Sequence, residues 1–453
     1  MRREQAEENT NDAAGSESGA RRKTLFHGGV LSAFGQRDYK ILWSGAFISN
    51  IGTWVQSAAL LWLVHDVFKS NSLVGAVNMA NFLPVLFIVP FVGFFADRYN
   101  RRTIILIGQI VMMLGALALG IAASFHTDSK AVILMTVSII GIAFAFNFPA
   151  WQAILPDLVH RSDLMNAIAL SSAQWNLARF VGPAIAAVIL AVWSATVAFY
   201  VNAVSFLFVI AAVLMVRPKY SAVPPPTQSI GRDVLEGWKY VWQRKWMVNL
   251  LIALAFVSFF GFSFPVLIPS MSKDVLHRGA TTYAIILSLI GLGAAVGAPL
   301  VTYLGRRYKE REIIKICMLA FGLLLVAFGL VKVLWISCVL SIGLGLAFLM
   351  VGTTSNSVLQ GCSDRAMRGR VVSFYIVTFI GFSALGGQFM GYLADARSTQ
   401  FALTAGGIAC TLPAVVLILF PGLIRLAVTP KEPRELEPDV RPTDEPDQDF
   451  CEF

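Results

Sequence analysis

The sequence predicts an all-α membrane protein, twelve spanning helices in two pseudo-symmetric six-helix bundles. Three observations carry this. Apolar runs near the ~20 residues needed to cross a bilayer core recur along the chain. Lysine and arginine gather in alternate loops, and the second half repeats the loop pattern of the first. Composition agrees. Of the residues 56% are hydrophobic and 14% charged, and the mean hydropathy is +0.68. A soluble domain is nearer half apolar and a quarter charged.

In chain order, the first six spans are expected over 41–64, 73–95, 103–124, 131–150, 167–192 and 196–216. The second six follow over 247–270, 282–304, 313–332, 334–357, 371–394 and 401–424. The domain plan is therefore a first bundle over 41–216, a linker over 217–246 and a second bundle over 247–426. Residues 1–40 are polar and mixed in charge, with no apolar core of a cleavable signal, and are expected to form a disordered cytoplasmic tail. The stretch 427–453 reads as an acidic disordered tail. Within the linker, Pro224-Pro225-Pro226 cannot be helical. After it Ile230, Val234, Leu235, Trp238, Val241 and Trp242 recur at helical spacing among Arg232, Lys239, Arg244 and Lys245. That pattern predicts a basic amphipathic helix on the inner leaflet, with a partner-binding helix as the alternative.

Charge sets the orientation. Arg98, Arg101, Arg102, Arg161, the linker, Arg306 to Lys315, Arg365, Arg368 and Arg370 lie on one side. The opposite loops hold little beyond Lys69, Lys130, Lys273, Arg278, Lys332 and Arg397. The positive-inside rule makes the first side, and both termini, cytoplasmic. The formal charge of +9 is spread over short loops rather than one face, which argues against nucleic acid. Cys317, Cys338, Cys362, Cys410 and Cys451 lack metal-ligand spacing and the five histidines are scattered, so neither a metal nor a disulfide framework is expected. No P-loop, G-x-S-x-G, H-E-x-x-H or dinucleotide fingerprint occurs. The chain therefore reads as no enzyme and implies no cofactor, and an ion gradient is the default energy source.

Between the second and third spans lies Gly93-Phe94-Phe95-Ala96-Asp97-Arg98-Tyr99-Asn100-Arg101-Arg102. Gly93 permits close helix approach, and Asp97 beside Arg98, Arg101 and Arg102 could latch helix ends by charge-assisted hydrogen bonds. The pattern G-x-x-x-D-R-x-x-R-R resembles the signature of the major facilitator superfamily, which implies that fold and a cytoplasmic gate at these residues. A shift of about 209 positions lays Arg98 on Arg307, Tyr99 on Tyr308 and Arg102 on Arg311, while Asp97 meets Arg306. Parallel repeats with a midplane site between them are the architecture that follows.

The longer string Pro149-Ala150-Trp151-Gln152-Ala153-Ile154-Leu155-Pro156-Asp157-Leu158-Val159, with Asn176-Leu177-Ala178-Arg179-Phe180-Val181-Gly182-Pro183-Ala184, is more specific. It resembles the transmembrane-secretion-effector branch, which includes the enterobactin exporter and macrolide efflux pumps. Phe82-Leu83-Pro84, Phe264-Pro265, Ile268-Pro269 and Gly369-Arg370-Val371 agree with it. Gly182 and Pro183 predict a bend or a tight helix contact. In related exporters a fuller glycine-rich form of that motif goes with antiport. Here alanine and isoleucine replace the later glycines. The family is usually monomeric.

Arg179 falls about 18 Å into the fifth span, twelve residues at ~1.5 Å each, close to the midplane. There it costs at least ~2.5–3.5 kcal/mol unless it faces a cavity or partner. It could bind an anionic substrate, hydrogen-bond helix backbone, or modulate a coupling group; it cannot itself carry the proton. Ser49, Thr53, Gln56 and Ser57 form one face of the first span, with Asn81, Asn147, Gln174, Asn356 and Thr378 on others. Phe260 belongs to an aromatic seventh span. Together these residues suggest a wide amphipathic substrate cavity. His65 and Asp66 are the titratable couple nearest a pathway and so candidates for proton handling.

The expected function is secondary active export of a medium-sized amphipathic solute by alternating access, a siderophore first and a macrolide-like drug second, in a bacterial inner membrane. The implied partners are the small-molecule substrate, the proton gradient and the bilayer. The rivals are a proton-coupled importer of an iron chelate and a non-transporting receptor or scaffold.

Overall fold

Apolar spacing explains how the helices sort themselves. In the third span Ile105, Met112 and Leu119 recur every two turns and are buried. Ile107, Leu114 and Ile121, on the same repeat but another face, are 57%, 54% and 45% exposed. One stripe packs on protein and the other meets lipid, because residues seven apart return to the same side of a helix. The outward apolar face has no reason to exist in water.

The computed structural model describes residues 31–98, 100–126, 129–216, 230–364 and 367–424. Both tails beyond residues 31 and 424, as assigned above, and the proline stretch of the linker lie outside the described residues. Within them twelve helical spans are long and apolar enough to cross a membrane, and no strand occurs. The first six are Arg37–Phe68, the helix Asn71–Arg98, Arg101–Ser124, Lys130–Asp157, Leu164–Val192 and Ala195–Met215. The second six are Lys245–Val275, Ala280–Gly305, Glu310–Leu330, Leu334–Gly361, Arg368–Ala396 and Thr399–Leu419. A separate linker helix spans Ile230–Gln243.

Neighbour relations repeat between the halves. The second span packs on the fourth as the eighth does on the tenth, the third on the sixth as the ninth on the twelfth, and the first on the fifth as the seventh on the eleventh. The bundles meet through two matching crossings, the second span with the eleventh and the fifth with the eighth. Backbone proximity there needs glycine: a Cβ at Gly75 would run into the carbonyl of Gly387, and one at Gly291 into that of Arg179.

Three elements differ from expectation. Ordered structure begins inside the stretch assigned to the N-terminal tail, with a 3-10 turn at Ser32–Gly35 and the first helix from Arg37. Packing anchors it: Phe34 lies edge-on to Trp43 at 5.0 Å, and the Tyr39 hydroxyl donates to the Ala167 carbonyl at 2.9 Å. The seventh span is not one helix. It stops at Phe260, turns, and resumes as a 3-10 turn at Phe264–Leu267, a short helix at Ile268–Ser270 and a π turn at Met271–Val275. Pro265 and Pro269 remove the backbone donors that would continue an α-helix. The eleventh span carries a second π turn at Val377–Gly381.

Candidate functional site

Arg179 lies near the middle of the 29-residue fifth helix, on the face that meets the other bundle. Its guanidinium carbon sits 5.5 Å from the ring centre of Trp54 in the first span and 4.5 Å from that of Phe348 in the tenth. One ring comes from each bundle. Among the described residues no carboxylate pairs with Arg179 and no acceptor takes its hydrogen bonds. Two cation–π contacts at about 0.5–2 kcal/mol each offset much of the ~2.5–3.5 kcal/mol cost of a midplane arginine. They leave its five N–H donors unspent. Beside it Trp54 Nε1 is buried without an acceptor.

The rings extend outward from Arg179 into both bundles. Trp54 meets Trp175 edge-on at 5.9 Å, and Trp175 meets Phe144 at 6.4 Å. Across the interface Phe348 contacts Phe262 at 4.5 Å and Phe379 at 5.4 Å, and Tyr375 stacks on Phe379 at 5.5 Å. Gly182 positions the first span here, because a Cβ at that site would fall on the Cβ of Trp54. Pro183 sits one residue on inside a helix that continues to Val192. The tight contact is present at this motif and the helix is unbroken.

The amides and hydroxyls singled out by spacing have varied placements. Gln56 accepts from Asn202 of the sixth span at 2.9 Å. Asn147 donates to the Ile105 carbonyl of the third at 3.2 Å, and Gln174 to the Trp43 carbonyl of the first at 2.5 Å. All three are buried and tie helices of the first bundle together. Thr53 bonds back to the carbonyl of buried Ser49 at 2.9 Å. Asn356 accepts from Gln360 one turn on, Thr378 is buried within the π turn, and Asn81 lies where Gly141 of the fourth span abuts its carbonyl. Phe260 packs on Phe389 at 6.0 Å, a residue that is 43% exposed. The helix break at Gly261 hands the inward direction to Phe262 instead. Between Arg179 and the linker-side ends of their helices, Ser172, Thr353 and Ser357 are exposed. Hydroxyls are costly against lipid, so an aqueous opening suits this face.

At the end opposite the linker, three contacts join the bundles. His65 Nε2 meets Asp274 Oδ2 at 3.0 Å, and the donor must be the imidazole because the carboxylate only accepts. Asp66 pairs with Lys273. Asp395 of the eleventh span accepts from the backbone N–H of Asn71 at 2.8 Å and of Ser72 at 2.9 Å, capping the second helix from across the interface. His65 and Asp274 are separated by 209 positions, the offset of the internal repeat, so equivalent points of the two halves touch. The π turn of the seventh span presents both Lys273 and Asp274. Lys69, just past the first span, is held below the usual lysine range, first by the nearby Lys273 ammonium, with Asp66 opposing.

At the linker side, Arg101 donates to the Ala153 carbonyl at 2.8 Å and pairs with Asp157 at 3.0 Å. Arg102 donates to the carbonyls of Val213 and Leu214, at 2.9 and 2.7 Å, closing the end of the sixth helix. Both sets lie within the first bundle. The side chains of Gly93, Asp97 and Arg98 lie outside the described residues. Sequence reasoning missed Trp54, Trp175, Phe262, Phe348, Lys273, Asp274 and the capping role of Asp395. Trp175 stands one turn before Arg179, and His65 and Asp274 share the repeat offset; those two signals could have pointed to them.

Residues 28–443 match the model of a family described as transmembrane secretion effector. The chain is 25% identical over 363 residues to the staphyloferrin A transporter of Staphylococcus aureus, covering 79% of this chain and 89% of that one. It is 26% identical to the multidrug efflux pump Tap of Mycobacterium tuberculosis, covering 84% and 92%, and 22% identical to macrolide efflux protein A of Streptococcus pyogenes, covering 68% and 77%. In fold it resembles the nucleoside transporter NupG, with a TM-score of 0.72 at 12% identity over 84% of this chain and 99% of that one. A POT family transporter gives 0.70 at 13% identity, over 86% and 97%. These relatives are transporters rather than enzymes, and bacterial ones place such a multi-pass protein in the plasma membrane. With a small-molecule substrate implied and the bundle geometry in agreement, the chain belongs to the transmembrane secretion effector family of the major facilitator superfamily.

Proposed function

We propose that the protein exports a medium-sized amphipathic solute, with an acidic one favoured by its midplane guanidinium, across the bacterial inner membrane, by alternating access and in exchange for protons. A siderophore is the first expectation and a drug of macrolide type the second. The observation that carries this reading is Arg179: a midplane guanidinium between rings of opposite bundles, with its donors and that of Trp54 unspent. Charge-assisted hydrogen bonds to a carboxylate or similar anion would use them, and the rings would hold an apolar body. Because each bundle supplies one ring, a bound solute touches both halves and can bias their movement.

The staphyloferrin A transporter supports the siderophore class, and the efflux relatives support export, the direction that the partial Gly182-Pro183 motif also favours. With the linker side cytoplasmic, the clasps of His65, Asp66 and Asp395 close the outer face. Opening outward must break them, which frees His65 and Asp66 to exchange protons with the exterior. Asp97, Arg98, Arg101 and Arg102 then hold the cytoplasmic side closed. The protein works as a monomer, and both termini are cytoplasmic.

The test compares small molecules in cells and spent medium, with and without the gene, under iron starvation and in rich medium. An acidic compound retained in cells and depleted outside in the deletion is the expected result. The reverse distribution would make the protein an importer.

A further inference from the structure

We propose that the linker helix carries a docking surface for anionic phospholipid, formed by Leu235, Trp238 and Trp242 and flanked by Lys239 and Lys245. The helix Ile230–Gln243 has one face committed to protein. Gly237 lies against Arg370 and Phe374 of the eleventh span, where an added Cβ would come within 3.1 Å of the Arg370 Cβ and 3.3 Å of the Phe374 ring. Tyr240 and Val241 are buried. Glu236 pairs with Arg370 at 2.8 Å and Arg244 with Asp364 at 3.3 Å. The Asp364 N–H donates to the Tyr240 hydroxyl at 2.9 Å; burial lifts that phenol above its usual range, so it stays neutral.

These contacts fix the rotation of the helix. At 100° per residue, Leu235, Trp238 and Trp242 fall on the side away from the docked face. They are 66%, 52% and 62% exposed, and the two indoles stack at 5.4 Å. The occupant is argued from three features. Trp238 also reaches Phe374 at 6.0 Å, so the stripe is continuous with a membrane span rather than standing out in water. Indole favours the boundary between headgroups and acyl chains. Lys239 and Lys245, both exposed, stand where headgroup phosphates would lie, and each such lysine is worth about 1 kcal/mol near an anionic leaflet. Because the helix also touches the second span, lipid held on this stripe fixes an element that links both bundles.

The full chain reconstituted in phosphatidylcholine vesicles with a minority of phosphatidylglycerol gives the test. The wild-type emission minus that of the Trp238→Phe, Trp242→Phe variant isolates the two indoles. That difference should be quenched by brominated acyl chains and little by aqueous iodide. Quenching by iodide instead, or by neither because a second protein copy covers the stripe, would overturn lipid docking. Bromine placed only on phosphatidylglycerol should quench more than its share of the lipid predicts. Lys239→Gln with Lys245→Gln should abolish that excess, and an excess equal to wild type would overturn the anionic preference.

Discussion

Arg179 shows how a single side chain can be legible in position and illegible in partnership. Its depth followed from counting residues along the fifth helix. Its surroundings did not, because Trp54 and Phe348 lie in distant segments and come together only when the bundles meet. Gln56, Asn147 and Gln174 show the opposite failure. Spacing made them candidates for a cavity, but an amide buried among helices finds the nearest carbonyl or amide first. Arg179→Lys keeps the charge and loses the planar fork, so anionic cargo should bind about 10- to 100-fold more weakly, as read from the concentration dependence of transport. Phe262→Ala should impair transport more than Phe260→Ala in the same assay, since only Phe262 reaches Phe348 and Phe379.

Among elements, the long helices were the most readable because each needs about 20 apolar residues whatever it packs against. The start of the first span was misread because Tyr39 and Trp43 bury polar-flanked sequence against the fifth. Two π turns were invisible to a fixed helical period, and both present site residues, Lys273 and Asp274 in one and Phe379 in the other. Gly182 was readable as a contact but not as the seat of Trp54. A leucine there would overpack the first and fifth helices at about 1–3 kcal/mol. Gly182→Leu should therefore lower the thermal midpoint and reduce transport, whereas exposed Gly279, which has open space around it, should tolerate alanine.

Across the whole molecule, the internal repeat at an offset of about 209 positions anticipated the two-bundle plan, and the same separation joins His65 to Asp274, a contact the sequence reading missed. Asp395 is the clearest case of a residue whose role exists only between bundles. Its cap on the second helix contributes about 0.5–2 kcal/mol to the state closed at the far end. Asp395→Ala should shift the balance toward the opposite opening by about 2- to 30-fold, measurable as spin-label distances between the far ends of the first and seventh spans. Asp66→Lys and Lys273→Asp should each weaken that closure, and the double exchange should restore it.

The most direct measurement uses everted membrane vesicles, an imposed proton gradient, and the acidic cargo identified from the deletion strain beside its methyl ester. Wild-type protein should accumulate the acid in preference to the ester, and Arg179→Gln should accumulate the two alike. An Arg179→Gln protein that still prefers the acid would contradict the assignment of this guanidinium to an anionic substrate.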